Sequence, residues 1–187
     1  VKEAFSMFEQ ALKIAQSVGM HDLGCVSCVS RRDFDELQTF AFRAQAPVLE
    51  YASLLIENKL LLRTNRTGRV YAGFEKLSRM EPVAERYLRI ADLSERVYIF
   101  GEPDWKPPRH PNMRLICLER SAGLARESFV IADSANFHVA LVGIDEEGLD
   151  APVPEARVFR AIKSSDPAIV TQLAAFAEGL IDTSLAA

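Results

Sequence analysis

Glu85-Arg86-Tyr87-Leu88-Arg89-Ile90-Ala91-Asp92-Leu93-Ser94-Glu95-Arg96-Val97-Tyr98-Ile99-Phe100-Gly101 joins an amphipathic helix to an almost wholly apolar strand in one step. In its first half Tyr87, Leu88 and Ala91 share a face with Ala84 at helical spacing. Glu85 and Arg89, four apart in the favourable order, fall on the solvent side. The second half, 97–100, is short, β-branched and aromatic, and it is bounded by Arg96 and Gly101, the pattern of a buried strand. Upstream, Val70-Tyr71-Ala72-Gly73-Phe74 reads as another strand after the polar link 63–68. Ser78-Arg79-Met80-Glu81 has the spacing of a capping box, so a helix is expected to start there and run to about Leu93. Strand, helix and strand over 70–100 make a βαβ unit with parallel strands. The carboxyl ends of such strands are where α/β sheets place ligands.

Working outward, the proline-rich loop 102–112 precedes three strand-like runs at 114–118, 128–132 and 137–142. Asp133-Ser134-Ala135-Asn136 separates the last two closely enough for a hairpin. An acidic loop at 145–155 leads to a further strand, 158–162. Asp166-Pro167 then opens a C-terminal helix with a cap followed by proline, and Ile169, Leu173, Phe176, Ala177 and Leu180 form its inner face.

On the amino-terminal side, Pro47 suits the first turn of a helix carrying Val48, Ala52, Leu55 and Ile56. Ser30-Arg31-Arg32-Asp33 resembles a capping box, and Phe34, Leu37, Phe40 and Ala41 are expected on the buried face of the helix it starts. Residues 21–30 read as a loop or short strand. Phe5, Phe8, Leu12 and Ala15 place one apolar stripe on a helix over residues 2–18 that ends at Gly19. The stripe is read first as packing on the domain's own core, and it also fits two heptads facing a second copy, a homodimer through the N-terminal helix. The expected fold class is α/β: a mixed sheet with a βαβ unit followed by antiparallel strands, packed by helices, with an N-terminal helix. The expected division is an N-terminal helix and linker over residues 1–32 and a single α/β domain over residues 33–187.

A chain of 187 residues, 49% hydrophobic and 26% charged, is large enough for one domain with a real core. A net charge of -4 with both signs interspersed argues against a nucleic-acid partner, which usually demands a basic face. No run approaches the roughly 20 apolar residues that span a bilayer, and the N-terminus lacks the pattern of a signal peptide. A cytoplasmic chain with no membrane partner is therefore expected. Val1 lies inside an apparent helix, which points to a segment of a longer protein. Three cysteines cannot all pair, and a cytoplasmic setting keeps thiols reduced.

Reacting groups are sparse. His21, Cys25 and Cys28 offer three potential zinc ligands but lack a fourth and the second Cys-x2-Cys, so inert thiols or redox-active ones are the competing readings and no metal is assigned. Cys117, His138 and Asp133 would make a nucleophile, base and orienting acid only if their strands were adjacent. There is no Gly-x-Gly-x-x-Gly and no Walker A word. No catalytic residue and no cofactor is assigned. Gly101-Glu102-Pro103-Asp104-Trp105, at the end of a βαβ strand, holds the only tryptophan beside two acids. Aromatics in such loops provide flat apolar contact at little entropic cost, or else fold back to seal the sheet. Phe100, Glu102, Asp104 and Trp105, with Tyr71 and Phe74 from the preceding strand, are the residues expected to contact a ligand.

Arg69-Val70-Tyr71-Ala72-Gly73-Phe74-Glu75-Lys76, the stretch 85–101, and Arg157-Val158-Phe159-Arg160-Ala161-Ile162 before Asp166 resemble, in order and spacing, the words of the DICT sensory domain. The resemblance spans residues 34–182 and departs from the family pattern at Arg160, Ala161 and Lys163. It implies a non-enzymatic input domain of bacterial signalling proteins, associated with diguanylate cyclases, two-component systems or transcription factors, and it carries no catalytic residues with it. The expected function is a cytoplasmic sensory module that binds a small molecule or a partner domain and relays a conformational signal to an output domain. The alternatives are a structural dimerisation or scaffolding domain without ligand, and a small thiol- or histidine-dependent enzyme.

Overall fold

In the computed structural model, residues 5–147 and 152–186 are described. Ser6 caps α1 (Met7–Val18) by accepting the Glu9 N–H. Then follow β1 (His21–Cys25), α2 (Arg31–Glu36), β2 (Thr39–Gln45), α3 (Ala46–Leu61) and β3 (Arg69–Lys76). A 3-10 segment, Leu77–Val83, leads into α4 (Ala84–Asp92) and β4 (Arg96–Glu102). After β5 (Met113–Cys117) come β6 (Glu127–Ser134), β7 (Phe137–Asp145), β8 (Val158–Ser164) and α5 (Pro167–Ala186). Three stretches expected from sequence fall partly outside the described residues: Lys2, Glu3 and Ala4 of the first helix, residues 148–151 of the acidic loop, and Ala187.

The eight strands form one sheet in the order β1-β2-β8-β7-β6-β3-β4-β5. The expected βαβ unit is β3–α4–β4, and β3 pairs with β4 in parallel from Arg69↔Arg96 to Gly73↔Phe100. β5 extends the parallel set by pairing with β4. From β3 through β6, β7 and β8 to β2 every pairing is antiparallel. Ser134 pairs with Phe137, so the expected hairpin turns through Ala135 and Asn136.

Side chains alternate across the sheet, so each face carries its own core. One face, with Val70, Ala72, Val97, Ile99, Val130 and Leu141, is covered by α2, α3 and α4. The other, with Tyr71, Phe100, Phe129, Ile131 and Val142, is covered by α1 and α5. The α1 stripe packs on this second face, with Phe8, Ala11 and Ala15 buried and the Phe5 ring 5.9 Å from that of Phe176. Close approaches depend on glycine at two points: a Cβ on Gly73 would lie 2.3 Å from the Phe129 ring, and one on Gly143 would lie 3.0 Å from Leu49 of α3.

Two local expectations are corrected. The second helix ends at Glu36, and Phe40 and Ala41 belong to β2, not to a helix face. Phe40, Phe42 and Ala44 alternate with Ala41, Arg43 and Gln45, and pairing along the whole of β8 rewards that period of two over the helical one. Ser30 still caps α2 by accepting the Asp33 N–H at 3.0 Å. The capping box at Ser78 does not form: its hydroxyl and backbone N–H both donate to the Asp104 carboxylate, at 2.6 and 2.9 Å. Pro82 lies in the 3-10 segment, and the α-helix proper starts only at Ala84.

Candidate functional site

The sheet divides the six residues expected at a ligand. Tyr71 and Phe100 belong to the face under α1 and α5; Tyr71 stacks on Tyr98 at 5.5 Å and donates its hydroxyl proton to Glu178, and Phe100 packs on Phe129. Phe74 and Trp105 pack against the opposite core. Glu102 closes β4 with one buried carboxylate oxygen that has no hydrogen-bond partner among the described residues. Burial pushes the Asp104 carboxyl up, but the hydroxyl and N–H of Ser78 outweigh it and hold the group below its ordinary value. Asp104 thus ties the loop after β4 to the 3-10 segment after β3.

Phe74 also lines a cavity of about 440 Å³ between α3 and the 3-10 segment with α4. That volume falls in the size range of small-molecule sites. Its floor is made by Phe74 and Glu75 of β3, Ser128 of β6 and Phe159 of β8, and its walls by Leu54 and Glu57 of α3 against Arg79, Val83 and Arg86. The cavity therefore sits at the carboxyl end of the parallel strand β3, where open α/β sheets place ligands.

Its charged lining was not singled out from sequence. β3 stops pairing with β6 at Phe74↔Ser128, and its register with β4 shifts between Gly73 and Lys76. Glu75 occupies that bulge with φ +65° and is only 2% exposed. A left-handed backbone at a non-glycine residue costs on the order of 1–2 kcal/mol, so the surroundings must hold it there. The holding partner is Arg157, fully buried, whose Nη2 donates to Glu75 Oε1 and Oε2 at 2.8 and 2.7 Å and lies 2.9 Å from Asp145 Oδ2. The same guanidinium lies over the Phe159 ring at 5.0 Å, and its Nε and Nη1 have no hydrogen-bond partner among the described residues.

On the α3 wall Glu57, 4% exposed, accepts from Arg86 Nη1 at 2.9 Å. Burial pushes both the Glu57 and Glu75 carboxyls above their ordinary values, against the pull of Tyr87 and Arg86 on Glu57 and of Arg157 on Glu75. Tyr87 is fully buried, and burial together with the Glu57 carboxylate raises its phenol well above its usual value. A signal for these residues was present in the sequence: Glu75 and Arg157 are charges at the ends of apolar strand runs, inside words already recognised.

The other reacting groups are dispersed. His138 Nδ1 sits 2.9 Å from Asp133 Oδ1, but Cys117 is on β5, separated from β6 by β3 and β4. Cys25, Cys28 and Cys117 are free and exposed, and among the described residues no three metal-ligating side chains converge. Among the described residues, no helix is long and apolar enough to cross a membrane.

An eight-stranded mixed sheet with helices on both faces, and a cavity with charged lining at one parallel strand end, defines the α/β class of this chain. The family whose profile matches, over residues 44–144 and so more than half of the chain, is DICT, the sensory domain in diguanylate cyclases and two-component systems. This chain belongs to the DICT family, and a DICT domain is a sensory domain rather than a catalytic one. The crystal structure of polyphosphate kinase from Porphyromonas gingivalis shares the fold at a TM-score of 0.58 with 6% identity, over 84% of this chain and 29% of the kinase. TrmBL2, an archaeal chromatin protein, aligns over 94% of this chain and 58% of its own at 11% identity and a TM-score of 0.49. This chain thus spans less than two thirds of either protein. The comparison with curated proteins found no match.

Proposed function

We propose that this chain is a cytoplasmic input domain of a bacterial signalling protein that binds a small molecule in the α3/α4 cavity. Occupancy of the cavity is relayed to an output domain as a conformational change. The observation that carries the reading is a cavity of about 440 Å³ lined by two buried carboxylates, one of them on a strained backbone. Strain of this kind, when it clusters at a cleft, is a mark of switch regions. The relay runs from β3, which carries Glu75 and pairs with β6, to Glu127 at the start of β6, whose carboxylate accepts the Met7 and Phe8 N–H groups of α1. A differential affinity of about 1–3 kcal/mol between two states suffices for such coupling.

The test is native mass spectrometry of the chain after exposure to the small-molecule fraction of a bacterial extract. A noncovalent adduct of small-molecule mass is expected on the unmodified chain and not on Val83→Trp, which fills the cavity from the α4 wall. Absence of any adduct, or an adduct unchanged in Val83→Trp, would remove the cavity from the mechanism.

A further inference from the structure

We propose that the cavity takes an amphipathic small molecule with one anionic end, the anion held by Arg79 and Arg86 and the apolar body lying on Leu54, Phe74, Val83 and Phe159. This rests on the reading of the cavity as the ligand site and adds the class of ligand. A guanidinium has five N–H donors and no acceptor, in a fork that matches a carboxylate or sulfonate. Arg157 gives its Nη2 to Glu75 and Asp145, and its Nε and Nη1 have no hydrogen-bond partner among the described residues, but the side chain is fully buried and does not line the cavity. Arg86 spends one hydrogen bond, on Glu57. Arg79 makes none among the described residues: its nearest carboxylate oxygen, on Glu75, is 3.9 Å away.

The two buried carboxylates are in the opposite position, since Glu57 and Glu75 already accept from Arg86 and Arg157. A cationic ligand reaching for the buried carboxylates would have to compete for acceptors already used and would meet the charge of Arg79. An anionic one finds unused donors on two side chains of the same wall, each about one-third exposed and so able to accept a ligand without opening the core. Apart from Glu50, exposed on α3, and the hydroxyls of Tyr51, Ser53 and Ser128, the rest of the lining is apolar surface, which suits a body rather than a second charge.

The test uses two dyes of nearly equal shape, the sulfonate 8-anilinonaphthalene-1-sulfonate and the uncharged N-phenyl-1-naphthylamine, titrated by fluorescence against the full chain. Both are expected to bind saturably, and both are expected to be lost in the cavity-filling variants Ser53→Trp and Val83→Trp, which approach from opposite walls. Arg79→Ala, which removes no hydrogen bond of the fold, is expected to weaken the sulfonate by about tenfold, the scale of one charge-assisted hydrogen bond, and to leave the neutral dye unchanged. If Arg79→Ala weakens both dyes alike or neither, the anionic class is overturned while the cavity remains the site. If the dyes bind equally well to both filled variants, the cavity reading fails and this inference with it.

Discussion

At the scale of single residues, Arg157 is the side chain on which the floor of the cavity depends. It is fully buried and faces two acids, Glu75 and Asp145. Removing one member of a buried ion cluster leaves the others desolvated without compensation, a cost of about 3–5 kcal/mol. Arg157→Met is accordingly expected to lower the free energy of urea unfolding by that amount. Adding Glu75→Gln is expected to return part of it, since the double variant buries one charge fewer. Equal losses in the single and double variants would mean that Arg157 acts through its stacking on Phe159 rather than through the acids. These residues also mark the boundary of what sequence shows. The strand words around Glu75 and Arg157 are readable because apolar period and turn chemistry are local. That the two charges meet is set by β8 reaching β3 across β7 and β6, a pairing 82 positions apart that no local pattern encodes.

At the scale of elements, local and tertiary rules agreed where a segment had one strong period and disagreed where two competed. The βαβ unit, the hairpin and the C-terminal helix were legible for that reason, and α5 does open with Asp166 accepting the Ala168 N–H at 3.0 Å. Phe40 and Ala41 fitted both a helix face and a strand, and the sheet decided. The same holds for Ser78, whose hydroxyl is drawn to Asp104 from a loop 26 positions away. Of the six residues expected at a ligand only Phe74 lines this cavity, which sits at the end of β3 and not in the expected loop after β4, and its walls require knowing that α3 lies across from α4. The α1 helix yields a prediction of its own. Glu127, fully buried, accepts the Met7 and Phe8 N–H groups at 2.9 and 3.0 Å and the Ser6 hydroxyl. Glu127→Ala leaves those donors without their acceptor, which costs about 1–3 kcal/mol per unsatisfied buried group. Amide hydrogen exchange in α1 is expected to accelerate while that of β4, remote in the same sheet, does not. If α1 and β4 accelerate together, α1 is no separable unit and the relay through it is lost.

At the scale of the whole molecule, the buried ionisable groups impose a shape on stability against pH. Glu57, Glu75 and Glu127 all have carboxyls raised by burial. Each binds its proton more tightly in the folded chain than in the unfolded one, so its contribution is complete below about pH 4.3, the unfolded value, and is lost as pH rises through the raised folded value. Lys163 is the opposite case. It is 2% exposed, donates to the Leu37 carbonyl, lies over the Phe34 and Phe40 rings, and burial lowers it to about 8. A lysine depressed in the folded state adds stability above its unfolded value, and that stability disappears as pH falls through about 8. The two effects leave a minimum between them. The urea midpoint is expected to fall from weakly acid pH toward neutrality and to rise again above about 8, before Tyr71 and Tyr87, both raised by burial, reverse it beyond their ordinary range. Lys163→Met is expected to abolish the rise and leave the fall, whereas Glu127→Gln is expected to flatten the fall and leave the rise. A midpoint that climbs steadily from pH 5 to 9 in the unmodified chain would show that the hydrogen bonds from Arg86, Arg157, Met7 and Phe8 outweigh burial and that the three carboxyls are not raised.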